Sequence, residues 1–206
     1  RQSWKRMFDA RIRPIINPAL QPLARGLARA KISANWLTLS SLIPAAAACY
    51  FVAQELYVPA LAMIVLNRLL DGLDGMVARI QGATPLGGYL DILADFTFYV
   101  AVPVGFGLAA AENLLPAMIL IAAFTLTGIS FLSFAAAAAN ADISSDAHGP
   151  KAFLYTTGIM EGGETIAFFI AFCLLPQHFE TLAYIFAALC GVTVLQRSWL
   201  AVTTLK

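Results

Sequence analysis

The sequence predicts an all-α integral membrane protein with six transmembrane helices and an N-terminal amphipathic helix at the interface. Three observations carry this. Of 206 residues, 60% are hydrophobic and 12% charged, whereas a soluble domain carries roughly twice that charged share. Six apolar runs recur along the chain, each long enough to cross a hydrocarbon core about 30 Å thick. Eight of the thirteen Lys and Arg residues lie in residues 1–31, ahead of the first run. Two regions follow: a juxtamembrane segment at 1–32 and a six-helix transmembrane domain at 33–206.

The opening segment alternates apolar and basic residues at helical spacing, with expected breaks at Pro14, Pro18 and Pro22. An amphipathic segment of this kind lies in the bilayer interface, with Trp4, Met7, Phe8, Ile12 and Ile16 toward lipid. Its basic residues favour an anionic leaflet. It lacks the short apolar core of a cleavable signal peptide.

The spans are expected at about 35–54, 58–80, 87–111, 114–139, 152–175 and 179–203. Ser33 or Asn35 suits the cap of the first. Pro85 with Gly87 and Gly88 breaks the chain between the second and third. Pro150 suits the first turn of the fifth, and Pro176 its end. Pro44 and Pro103 fall inside spans, which membrane helices tolerate when neighbours satisfy the freed backbone groups. The run Ala135–Ala139 allows close packing of the fourth. Cys49, Cys173 and Cys190 lie within spans and read as small buried hydrophobes. No inverted repeat of the transporter kind is visible.

Topology follows from the loops. The N-terminal segment, the 140–151 loop and the C-terminal Lys206 carry basic residues, while QELY, AENL and PQHFE on the opposite side have no Lys or Arg. The positive-inside rule puts both termini in the cytoplasm, as an even number of spans requires. An integral protein of the plasma (inner) membrane is expected.

Within this apolar chain, Asp71, Asp74, Asp91 and Asp95 fall in 25 residues. Ionised carboxylates inside a bilayer need a partner or a purpose. Asp71 and Asp74 lie about 14 and 9 Å from the cytoplasmic end of the second span, and Asp91 and Asp95 about 6 and 12 Å into the third. Spacings of three and four put each pair on one helix face. If the faces meet, four carboxylates converge, and repulsion demands a cation between them. Arg68 and Arg79 alone would leave an ion-pair network two charges short. Hard oxygen ligands favour magnesium, manganese or calcium. Four carboxylates can hold two such ions, which suits displacement at phosphorus. Gly72 and Gly75 weaken the helix and suggest close approach of a ligand, and Arg79 could reach a phosphate at the mouth.

This segment resembles the signature of the CDP-alcohol phosphotransferase family, D-x2-D-G-x2-A-R, seven or eight residues, then G-x3-D-x3-D. The chain supplies Asp71, Asp74, Gly75, Ala78, Arg79, Gly87, Asp91 and Asp95. The resemblance implies that the four aspartates bind two divalent ions, Mg2+ or Mn2+, with Asp71 and Asp91 bridging and Asp95 also the general base. It implies that Asp71, Gly75, Arg79 and Gly87 cradle the CDP moiety. A weaker match, Ala34-Asn35-Trp36-Leu37-Thr38, stands where family members often read P-N-x-x-T, and adds Asn35 and Thr38 to the nucleotide contacts. The implied reaction moves a phosphatidyl group from CDP-diacylglycerol to an alcohol, releasing CMP, at a site near the cytoplasmic face. Phosphoalcohol transfer from a CDP-alcohol to a lipid hydroxyl is the alternative within the family, and a carboxylate-relay ion transporter the alternative outside it. Related enzymes are commonly homodimers, and no nucleic-acid partner is expected.

Candidates for the acceptor are Lys151 at the start of the fifth span, Arg197 about 9 Å into the sixth, and the intramembrane pair Glu161 and Glu164. Inositol-phosphate-using members show a richer arginine set. His148 and His178 read as solvated loop residues.

Overall fold

A computed structural model describes residues 8–140, 160 and 162–205, with side chains described for 18–138, 160 and 162–205. Trp4, Met7, His148, Pro150, Lys151 and Glu161 lie outside the described residues, as do the side chains of Phe8, Ile12 and Ile16. The regular structure is helical: α1 (Phe8–Arg29), α2 (Ala34–Ala53), α3 (Tyr57–Gln81), α4 (Pro85–Ala109), α5 (Leu114–Asn140), α6 (Gly162–Leu174) and α7 (Phe179–Thr204).

Four of these, α2, α4, α5 and α7, are long and apolar enough to cross a membrane. The α3 helix has 25 residues but carries Arg68, Asp71, Asp74 and Arg79. The 13 residues of α6 cover the second half of the expected fifth span. Most of the first half lies outside the described residues.

The α1 helix runs through Pro14, Pro18 and Pro22, where breaks were expected. Proline removes a donor and crowds the carbonyl four residues earlier. Spaced by four, Pro18 and Pro22 share one helix face, and both are exposed, so there the damage stays on the outer side. The inner side is occupied: Ala24 is fully buried against Leu73, Met76 and Val77 of α3, with Leu20, Leu27 and Ala28 around it. This part of α1 therefore packs on protein.

Two helix ends carry a left-handed residue that is not glycine. After α1, Lys31 has φ 59°, and after α2, Glu55 has φ 59°. Both close Schellman motifs, in which backbone N–H groups reach the last carbonyls. Lys31 N–H donates to Ala28 O and Ile32 N–H to Leu27 O; Glu55 N–H donates to Val52 O and Leu56 N–H to Phe51 O. The elbow between α1 and α2 is tied down by Gln81 Nε2, which donates to Ile32 O at 2.7 Å.

At α4 the expected break becomes a start. Pro85 occupies the first turn, and the Thr84 hydroxyl accepts from Gly87 N–H at 3.0 Å. Proline fits there because that N–H would have no helical acceptor. The α4 helix thus begins two residues before the predicted Gly87.

The α2 helix packs against α3 and α4, and α5 against α4 and α7. Backbones come very close at Gly105 of α4, where an added Cβ would lie 2.7 Å from Cys49 O and 2.9 Å from Val52 Cβ of α2. At Gly128 of α5 an added Cβ would collide with the Phe96 ring. The interior is aromatic. Phe98, Phe106, Phe124, Phe169, Phe172, Phe179 and Phe186 are buried together, and Phe106 stacks on Phe179 with centroids 4.3 Å apart. Cys173 and Cys190 are buried and Cys49 half-buried, all as free thiols. Outward faces remain apolar, with Ile43, Val58, Leu126 and Leu195 exposed, as a lipid-facing surface requires.

Candidate functional site

The α3–α4 turn sets the site. It places the end of α3 beside the start of α4, and α2 packs against both. Asp71, Asp74 and Asp91 consequently offer carboxylate oxygens that all lie within 4.8 Å of one another. Asp74 sits deepest, at 4% exposure, whereas Asp91 is exposed. The cluster thus has a closed floor and an open mouth.

The floor is fixed from α2. Thr38 Oγ1 donates to Asp74 Oδ2 at 2.6 Å and lies 3.1 Å from Ala34 O. Thr38 was expected at the nucleotide; the structure turns its hydroxyl to an aspartate. The reason is depth: four residues into α2 and buried, it faces the neighbouring helix.

Asp95 takes a different partner. Arg68 Nη1 lies 2.9 Å from Asp95 Oδ1 and 3.6 Å from Asp71 Oδ2. The ion pair considered at Arg68 therefore forms, but it covers one side of the cluster, and Asp74 and Asp91 stay outside it among the salt bridges of the described residues.

Four of the residues expected at the nucleotide, Gly75, Arg79, Asn35 and Gly87, lie in two pairs. An added Cβ at Gly75 would lie 3.5 Å from Arg79 Nη1, so the exposed Arg79 folds back beside Gly75. An added Cβ at Gly87 would lie 3.2 Å from Asn35 Oδ1 and 3.2 Å from Thr84 Oγ1, so Asn35 of α2 sits beside the start of α4. Gly72 belongs elsewhere: its missing Cβ faces Leu20 of α1 at 3.7 Å. That is an ordinary van der Waals contact, so this face of α3 meets α1.

A family model of CDP-alcohol phosphatidyltransferases matches residues 31–196, a stretch that contains the four aspartates, Thr38, Asn35, Arg68 and Arg79. The chain belongs to the CDP-alcohol phosphatidyltransferase family. It is 45% identical over 201 residues to the inner membrane protein YnjF of Escherichia coli (strain K12), covering 97% of this chain and 98% of that one. It is 38% identical over 89 residues to the archaetidylinositol phosphate synthase of Aeropyrum pernix, 43% of this chain and 42% of that protein. The fold is shared with the phosphatidylinositol phosphate synthase of Mycobacterium tuberculosis. For that enzyme's structure with manganese and citrate the TM-score is 0.65 at 20% identity, covering 88% of each chain. For its structure with CDP-DAG bound the TM-score is again 0.65, covering 88% of this chain and 92% of that one.

This CDP-alcohol phosphatidyltransferase is a membrane enzyme, and two of its acceptor candidates, Arg197 and Glu164, are among the described residues. Arg197 of α7 is buried, and its Nη1 donates to Thr127 O at 2.9 Å and lies 3.4 Å from Ser130 Oγ, both on α5. Its guanidinium also lies over the Phe131 ring at 5.5 Å. In this arrangement Arg197 ties α7 to α5. Glu164 is half-buried in the first turn of α6.

Sequence reasoning missed Asn67. It is fully buried; its Nδ2 donates to Ser41 O at 2.8 Å, and its Oδ1 accepts from Arg68 Nε at 2.8 Å. The signal was an amide next to an arginine inside an apolar span, where each polar group needs a partner.

Proposed function

We propose that this enzyme transfers a phosphatidyl group from CDP-diacylglycerol to an acceptor alcohol and releases CMP. The observation that carries the reading is the meeting of Asp71, Asp74 and Asp91 within 4.8 Å at the end of two adjacent helices. Three carboxylates so close repel one another strongly unless a cation joins them, and an all-oxygen donor set fits Mg2+ or Mn2+. Asp71, Asp74 and Asp91 would hold the first ion, and Asp95 with Asp71 and Asp91 a second. Bound there, divalent ions neutralise the diphosphate of the donor and stabilise charge at its phosphorus.

The chain's own groups do the rest. Asn35 and Gly87 flank the cytidine side of the mouth, and Arg79 beside Gly75 meets the diphosphate. Asp95 accepts the proton of the acceptor hydroxyl. The acceptor oxygen bonds to the phosphorus that carries diacylglycerol, and the bond from that phosphorus to the CMP oxygen breaks. An open mouth beside exposed lipid-facing helices lets the donor's acyl chains stay in the bilayer while its cytidine enters from water.

The reading places six spans across the inner membrane, with both termini and the site on the cytoplasmic side. Aromatic residues support the placement of the site near an interface. Trp36 at the start of α2, Tyr89 at the start of α4 and Trp199 near the end of α7 are 71%, 63% and 75% exposed, and antiparallel succession puts all three at the end that holds the aspartates. Such residues favour the headgroup level.

The test uses purified protein in lipid nanodiscs containing CDP-diacylglycerol. CMP release should require Mg2+ or Mn2+ and one alcohol from a screen of glycerol phosphate, inositol, inositol phosphate, serine and choline. Asp95→Asn should fold and be inactive. Metal-independent turnover, or full activity in Asp95→Asn, would end this reading.

A further inference from the structure

The guanidinium of Arg68 is held from every side. Its Nε and Nη2 both donate to Asn67 Oδ1. Its Cζ lies 4.4 Å from the centroid of the Phe98 ring. Asn67 in turn is anchored through Nδ2 to the α2 backbone at Ser41 O. A continuous path therefore runs from α2, through Asn67 and Arg68 on α3, to Asp95 Oδ1 on α4. Neutralising a carboxylate needs none of this scaffolding, since a mobile ammonium does it as well. A fixed, planar fork specifies direction as well as charge.

We propose that Arg68 is a positioning residue with two separable effects: it aims Asp95 at the acceptor hydroxyl, and it opposes cation binding at Asp71. This rests on the functional reading above. The first effect belongs to the fork. With Nη1 on Oδ1, the Asp95 carboxylate has one oxygen fixed and presents the other for the proton. The second belongs to the charge. Nη1 is 3.6 Å from Asp71 Oδ2, an oxygen of the three-carboxylate group, so its positive charge competes with a divalent cation there. Arg68 thus stabilises the cluster while no cation is present and weakens its hold on one when it arrives.

The two effects predict opposite movements, which a merely structural arginine would not produce. Full-length wild type, Arg68→Gln and Arg68→Lys would be compared by Mn2+ titration followed by electron paramagnetic resonance without substrate, and by CMP release at saturating Mn2+. Arg68→Gln loses charge and fork: Mn2+ should bind roughly 3- to 10-fold tighter, while kcat falls about 10- to 100-fold. Its KM for CDP-diacylglycerol should stay within about 3-fold, because Arg68 acts on the acceptor side. Arg68→Lys keeps the charge and loses the fork: Mn2+ affinity should stay within about 2-fold of wild type while kcat still drops about 10-fold.

Unchanged or weaker Mn2+ binding in Arg68→Gln overturns the proposal, as does wild-type kcat in either variant. Should Arg68→Gln not fold, Arg68→Lys decides alone, and wild-type kcat there is the overturning result. A wild-type protein that neither binds Mn2+ nor releases CMP overturns the functional reading itself. An active wild type with indistinguishable variants overturns only the role of Arg68.

Discussion

Thr38 donates its hydroxyl hydrogen to Asp74 Oδ2 across 2.6 Å, and this bond joins α2 to the floor of the acidic cluster. Hydrogen bonds to charged groups contribute about 1.5–3 kcal/mol, which corresponds to roughly a 10- to 100-fold change in an equilibrium. Thr38→Val should therefore weaken Mn2+ binding by about that factor, while Thr38→Ser keeps it. Mn2+ titration of the purified variants checks this. Equal affinity in wild type and Thr38→Val would show that the bond does not shape the site.

The carboxylates should be individually indispensable. Asp71→Asn, Asp74→Asn and Asp91→Asn each remove one charge from a shared ion, and turnover should fall at least about 1,000-fold in each. Chelation of the wild type by EDTA should abolish CMP release, and added Mn2+ or Mg2+ should restore it. Activity that survives chelation would contradict a role for bound cations.

Gly75 offers a sharper contrast. An added Cβ would make an ordinary contact with Arg79 at 3.5 Å, and alanine favours a helix by about 1 kcal/mol. Gly75→Ala should therefore melt at or above the wild-type temperature and yet show a raised KM for CDP-diacylglycerol. Stability comes from thermal unfolding in detergent, KM from CMP release. An unchanged KM would move the diphosphate away from this helix face.

Lys31 and Glu55 both hold φ 59°, a conformation that costs a residue with a Cβ about 1 kcal/mol relative to glycine. Lys31→Gly and Glu55→Gly should each raise thermal stability by about that amount and leave CMP release intact. A drop in stability at either position would mean that the side chain itself contributes more than its backbone costs.

The helices were legible because apolar length is a coarse and robust signal. The starts at 34, 57, 114 and 179 fall within a residue of those read from hydropathy. Convergence of the aspartates was legible in part: spacings of three and four fix helix faces, and three of the four expected carboxylates, Asp71, Asp74 and Asp91, meet. Partner choice was not. Spacing could not tell that Thr38 would face Asp74, or that Arg68 would reach Asp95 on another helix, because such pairs depend on rotation between helices. The prolines of α1 misled for a related reason: proline breaks a helix by default, and the exposed side on which Pro18 and Pro22 lie explains why the helix survives there. Gly72 misled as well, because a missing side chain signals close approach without saying what approaches.

At Gly105 the backbones of α2 and α4 meet with no side chain between them. That contact lies about 21 Å along α4 from Asp91 and about 16 Å along α2 from Thr38. It works as a fulcrum: the two rods cannot slide or spread there, so the far tips that carry the threonine and the aspartate keep a constant height. One methyl group inserted at this pivot would be magnified into a gap at the opposite end of the lever, and the enzyme's chemistry would register a change made about 21 Å along the helix from its aspartate.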